Sequence, residues 1–191
     1  MSSSLYKTER YKSPRYIGDP INAIKIFNDK YIDEMCVLDI TATHEYRDPD
    51  WNILQNMASQ AFFPLSYGGG LKSLDHVRKL FSLGFEKAVF TSALIDDVEL
   101  VKDSIREFGQ SSITGFINIK KKLISGYNLY DYRKNKILSY NVNDFLKLVE
   151  ELGVGEIIVN SVDFDGTLKG YDWSLLELLR HDIAAPIVIS G

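Results

Sequence analysis

The sequence predicts an α/β fold whose parallel strands curl into a (β/α)8 barrel of the TIM type, with about strands 2–7 of the eight present. Three observations predict it. Strand and helix signals alternate strictly along the chain, a long internal repeat joins its first half to its end, and acidic or glycine residues stand where strands finish. Such alternation lays helices over a parallel sheet.

The first helix starts at Asp19-Pro20, where a capping carboxylate precedes proline at the first helical position. Ile21, Ile24 and Phe27 follow at helical spacing. "MCVLDI" (35–40) reads as a buried strand. Residues 50–60 return to helical spacing with Trp51, Leu54 and Met57, and "FFPLS" (62–66) is the next strand. Ser73 caps a third helix bearing Leu74, Val77, Leu80 and Phe81, and "KAVFTS" (87–92) follows as a strand. Val98, Val101, Ile105 and Phe108 share one face of a fourth helix before the strand "SITGFINI" (112–119). Residues 120–140 break the rhythm. Apolar and polar residues alternate there around Gly126 and around Lys134-Asn135, which predicts a hairpin-like excursion after the fifth barrel strand. A helix resumes at Asn143 and closes at Gly153; "EIIVNS" (156–161) is a strand, and a helix from Asp172 leads into "PIVIS" (186–190). Residues 1–191 thus read as one partial-barrel domain.

The repeat chooses a barrel over an open sheet. "DWNILQNMASQAFFPLSYGG" (50–69) and "DWSLLELLRHDIAAPIVISG" (172–191) align without a gap at an offset of 122, matching Asp50, Trp51, Leu54, Pro64 and Gly69 to Asp172, Trp173, Leu176, Pro186 and Gly191. Upstream, Asp39 pairs with Asp163 at an offset of 124, which requires a two-residue difference in loop length. Duplication of about four βα units implies two half-barrels.

Composition bounds the function. Net charge is −4, from 22 basic and 26 acidic side chains, so no basic field supports nucleic-acid binding. No apolar run approaches the ~18 residues of a membrane span, and "MSSSLYKTERYK" lacks the apolar core of a secretory signal. A single cysteine, Cys36, forms no internal disulfide and is expected in the core; the cytoplasm is the expected compartment. His44, His76 and His181 show no ligand spacing, so neither a metal nor another cofactor is expected.

The chemistry is expected at strand ends. "SYGGG" (66–70) leads into the helix capped by Ser73, where side-chain-free backbone and a helix N-terminus can gather N–H groups around an anion. The plain alternative is a tight turn. Thr91 and Ser92 end the neighbouring strand as hydroxyl donors. Asp39 closes one strand, and Asp163, Asp165 and Gly166 follow another in "DFDGT", placing carboxylates where acid–base work or hydroxyl binding is done. Glu34, Lys87 and Glu156 instead precede strands, at the opposite mouth, where capping salt bridges are the ordinary expectation.

With these motifs quoted, the chain resembles the HisF family, the cyclase subunit of imidazole glycerol phosphate synthase. The resemblance rests on "GDPINAIKIF", "DEMCVLDITAT", "PLSYGGGLKS", "FGQSS", "ELGVGEIIVNSVDFDGTLKGYD" and "PIVISG", over nearly all of 17–191. It implies a duplicated barrel that joins ammonia, delivered by a HisH-type glutaminase subunit, to the bisphosphorylated ribotide PRFAR. The products it implies are imidazole glycerol phosphate and AICAR, serving histidine biosynthesis. It implies one phosphate site at Gly69, Gly70, Thr91 and Ser92, part of a second phosphate site at Asp165, Gly166 and Gly191, a phosphate or substrate contact at Ser161, and an ammonia gate at Glu34, Lys87 and Glu156.

The departures bear on activity. The family has catalytic aspartates ending its first and fifth strands; here the fifth-strand position is Asn118, and the first strand is expected to be missing. An amide exchanges no proton near neutral pH, so impaired activity is expected. Absence of strand eight would leave two unpaired parallel edges, so an incomplete copy, a fragment, or a chain completed by a partner is expected. Two other readings stand beside the cyclase: a HisF-like subunit for ammonia-dependent sugar amidation in surface polysaccharide synthesis, and a non-catalytic scaffold that activates a glutaminase.

Overall fold

The structure, a computed structural model, describes residues 4–122, 126–179 and 183–191. Its centre is a parallel sheet in the order β10(Ile187–Ser190), β9(Glu156–Ser161), β6(Ile113–Lys121), β5(Lys87–Phe90), β4(Leu65–Gly68), β3(Met35–Leu38). Helices α1(Pro20–Asp29), α2(Trp51–Ala58), α3(Leu74–Ser82), α4(Ala93–Asp96), α5(Val98–Phe108), α6(Val142–Glu151) and α7(Trp173–Leu179) alternate with the strands. Side chains from β3 and from β10, the two outer strands of this order, line one common cavity, so the sheet is curled into part of a barrel.

Local chemistry fixes the helix starts. Asp19 accepts from the Ile21 and Asn22 amides ahead of Pro20, Asp50 from Ile53, Ser73 from His76, Asp97 from Leu100, and Asn141 from Asn143 and Asp144. Each cap satisfies amides that the first turn leaves without partners.

Strand alternation sorts side chains into two cores. Ile113, Ile117, Ile119, Ile157 and Val159 face the helices and join the main core with Val77, Leu80, Val101, Leu146 and Val149. The inward side chains stack in layers instead. Lys87, Thr114 and Glu156 form the N-terminal layer, Val89, Phe116 and Ile158 an apolar middle layer, and Asn118 and Asn160 a polar C-terminal layer.

The duplication appears in register as well as in sequence. β3 pairs β4 through Met35↔Leu65 to Leu38↔Gly68, and β9 pairs β10 through Ile157↔Ile187 to Asn160↔Ser190, so every pair is displaced by 122. The entry bonds repeat too: Met35 N donates to the Pro64 carbonyl at 3.0 Å and Ile157 N to Pro186 at 2.9 Å. Gly69 (φ +122) lies against Asp39, and Gly191 (φ +124) against Ser161. The counterpart of Asp39 is therefore Ser161, at the common offset; the pairing with Asp163 and the loop-length difference it required are corrected.

Three further differences from the sequence reading have physical reasons. The strand expected at 62–66 runs Leu65–Gly68, because Pro64 offers no N–H to the ladder and enters only through its carbonyl. Cys36, expected in the core, is exposed on the inner face of outer strand β3. Residues 5–18, given no elements by the sequence reading, form an antiparallel hairpin of β1(Leu5–Glu9) and β2(Lys12–Gly18). The 120–140 region pairs β6 with β7(Tyr127–Asp131) and β7 with β8(Lys136–Leu138); residues 123–125 of that region, and His181, lie outside the described residues. No helix among the described residues is long and apolar enough to cross a membrane.

Candidate active site

A cavity of about 640 Å³ opens at the C-terminal ends of the strands. Of the residues singled out from sequence, Asp39, Gly69, Gly70, Thr91, Ser92, Asn118 and Asp165 line it. Ser161, Gly166 and Gly191 do not. Ser161 is buried, donates its hydroxyl to Asp172 at 3.2 Å, and accepts the Phe164 and Asp165 amides on its carbonyl. It shapes the turn that presents Asp165.

The glycine turn is tightly fitted. A Cβ at Gly69 would stand 2.5 Å from the Asp39 carbonyl, and one at Gly70 2.9 Å from the Arg47 carbonyl. Both residues also hold positive φ, at +122° and +68°, where side chains are disfavoured. The Gly70 amide donates to Thr43 Oγ1 at 3.2 Å. The turn thus satisfies the packing demand that the plain alternative required, and a bound anion would compete with Thr43 for Gly70.

Asp39 is heavily engaged. Its Oδ1 accepts from the Thr41 and Ala42 amides at 3.1 and 3.0 Å and from Arg47 at 2.7 Å. A carboxylate held by a guanidinium and two amides organises the loop after β3.

The β1–β2 hairpin crosses the same mouth. Arg10 donates its amide to the Asp165 carbonyl at 2.9 Å and its Nε to the Asp163 carbonyl at 3.1 Å, while Thr8 donates to the Asp165 carboxylate. A Cβ at Gly166 would collide with the Thr8 carbonyl, so glycine there lets the hairpin seat. At the hairpin tip Tyr11 (φ +61) enters the cavity. Its phenol donates to Asn118 Oδ1 and accepts from Asn160 Nδ2 at 2.7 Å. Burial, reinforced by Asp165, pushes the phenol far above the ordinary tyrosine range, so it remains a donor. Burial likewise raises the Asp165 carboxyl, against the opposing bond from Thr8.

At the other mouth the three charges predicted before strands come together. Lys87 Nζ is 2.9 Å from Glu34 and 3.4 Å from both Glu156 oxygens, and Thr114 Oγ1 lies 3.5 Å from Glu156. Partial burial opposes the ammonium charge, but the bond to Glu34 and the field of Glu156 outweigh it and hold Lys87 above its usual value.

With both mouths described, the comparisons decide the family. The family model for histidine biosynthesis proteins matches residues 2–191. The chain belongs to the histidine biosynthesis protein family. It is 37% identical over 187 residues to a provisionally named imidazole glycerol phosphate synthase subunit hisF2 of Pseudomonas aeruginosa, covering 98% of this chain and 74% of that one. A protein of Leptospira interrogans, provisionally named a HisF subunit of the same synthase, is 37% identical over 98% of this chain and 74% of its own length. The imidazole glycerol phosphate synthase subunit HisF of Trichormus variabilis is 35% identical over 91% and 69%. The chain thus spans about three quarters of the length of the first two relatives.

Sequence reasoning missed Thr8, Tyr11 and Asn160. Asn160 had a readable signal, a lone amide inside the apolar run "EIIVNS" and one position before Ser161. Tyr11 had none, because its importance comes from where the hairpin folds.

Proposed function

We propose that this chain is a cyclase-type subunit of imidazole glycerol phosphate synthase. It would take ammonia from a HisH-type glutaminase and combine it with the bisphosphorylated ribotide PRFAR, yielding imidazole glycerol phosphate and AICAR in the cytoplasm. The observation that carries this reading is the arrangement along the barrel axis. A Lys87–Glu34–Glu156 cluster stands at one mouth and the cavity opens at the other, and the apolar layer of Val89, Phe116 and Ile158 lines the cavity on the side toward the cluster.

That order suits neutral ammonia. A charged ion entering the apolar layer would lose hydration without compensation, whereas a small neutral molecule crosses at far lower cost. In the cavity, Gly69, Gly70, Thr91 and Ser92 are the proposed contacts for one phosphate. Asp165 with Ser161, Gly166 and Gly191 is the proposed support for the other end of the substrate. Asn118 stands where proton transfer is required and supplies none, so turnover is low as the sequence stands.

The test is coupling. With its glutaminase, Lys87→Ala should leave glutamine hydrolysis running while product formed per glutamine consumed falls severalfold. An unchanged ratio would make the cluster a structural cap and remove the main support for this reading.

A further inference from the structure

We propose that Arg133 is a positioning residue that braces the Ser92 side of the cavity mouth against the Gly70 side, a role that rests on the phosphate contacts proposed above. Strands β1(Leu5–Glu9) and β7(Tyr127–Asp131) are displaced by 122, the offset of the repeat, so the β7–β8 hairpin is the counterpart of the β1–β2 hairpin. The two turns carry the same pair of residues in reverse order, Arg10-Tyr11 in one and Tyr132-Arg133 in the other. In each, the tyrosine lines the cavity and the arginine fastens the turn to a neighbouring segment.

Arg133 is built as a brace. Its Nε and one terminal nitrogen grip the two oxygens of Asp131 at 3.0 and 2.9 Å, and its amide donates to the same carboxylate at 3.0 Å. Asp131 is buried, at 3% exposure, so the guanidinium fork is fixed in place before it reaches any other group. The remaining terminal nitrogen pairs with Asp96, the last residue of α4. Ion pairs at a surface contribute little when both side chains must be ordered to form them. Here the arginine is already ordered.

Helix α4 needs such a partner. It is a single turn of four residues with no side-chain cap at Ser92, and one turn does not hold its own orientation in water. Thr91 and Ser92 lead directly into it, so the direction of α4 decides where their hydroxyls stand. On the other side of Arg133, Tyr132 enters the cavity, where burial raises its phenol and the adjacent Thr43 hydroxyl opposes the rise. Thr43 in turn accepts the Gly70 amide at 3.2 Å. One turn thus joins the two segments that would have to close on the same anion.

The test titrates inorganic phosphate into the 15N-labelled full chain and follows the Gly70 and Ser92 backbone amides. Asp96→Ala, which spares the Arg133–Asp131 pair, should weaken phosphate binding about fivefold or more with the urea midpoint nearly unchanged. Arg133→Met should weaken it at least as much, and the double variant no more than Arg133→Met alone, because both changes break one connection. Unchanged affinity in Asp96→Ala, a loss explained by a lower midpoint, or losses that multiply in the double variant would overturn the proposal. Phosphate that leaves these amides unmoved in the unmodified chain would instead remove the contacts proposed above. Hydrogen exchange then decides the brace: Asp96→Ala should speed exchange at the Gly70 amide roughly tenfold and leave Ile157 unchanged. An unaltered rate at Gly70 would contradict it.

Discussion

Gly69 and Gly191 occupy the same place in two halves of the fold, 122 residues apart. Each holds a positive φ near +120° with its backbone against a residue at the C-terminal end of the adjacent strand, Asp39 just past β3 in one half and Ser161 closing β9 in the other. The relationship ties the duplication to a steric requirement. Gly69→Ala should therefore cost about 1–3 kcal/mol, from strain at the positive φ together with the clash at Asp39. Gly84→Ala, at φ +100 with nothing within 4 Å of a new Cβ, carries the first contribution alone. Denaturant midpoints that fall equally for both would contradict the close packing.

Asp39 is a scaffold for its loop in this account. Replacing it with alanine removes charge-assisted bonds to Arg47 and two amides, each kind worth roughly 1.5–3 kcal/mol. Asp39→Ala should lower stability by about 2 kcal/mol, and Asp39→Asn by less, because Oδ1 can still accept from Thr41 and Ala42. Equal losses measured by urea unfolding would show that the charge, and not the acceptor, holds the loop.

Lys87 gives the account a pH signature. Its folded pKa lies above the ordinary value. The stability contributed by its charge is therefore complete below the unfolded lysine pKa of about 10.4 and is lost as pH rises through the folded value. The difference in unfolding midpoint between the unmodified chain and Lys87→Met should stay constant from pH 7 to about 10 and shrink above. Shrinkage already between pH 8 and 10 would mean that Glu34 and Glu156 do not hold the ammonium.

Much of the frame was legible because it follows periodicity. Buried strands such as "MCVLDI" and "EIIVNS", and caps such as Asp19-Pro20, announce themselves locally. The β1–β2 hairpin did not. Its second strand is exposed along nearly its whole length, so no apolar alternation marks it, and its tip uses positive φ at Arg10 and Tyr11 without glycine. The offset assigned to Asp39 also failed for a physical reason. A carboxylate was matched to a carboxylate, whereas backbone register equates Asp39 with Ser161. The Tyr11 contacts with Asn118 and Asn160 span more than a hundred residues and have no local trace.

The most direct measurement is the rate at which the chain, supplied with ammonium and the bisphosphorylated ribotide, forms imidazole glycerol phosphate before and after Asn118→Asp. Restoring a group that can carry a proton should raise turnover on the order of 10²-fold over a low starting rate. Unchanged turnover, or an unmodified chain already as fast as the variant, would contradict the assignment of proton transfer to this position.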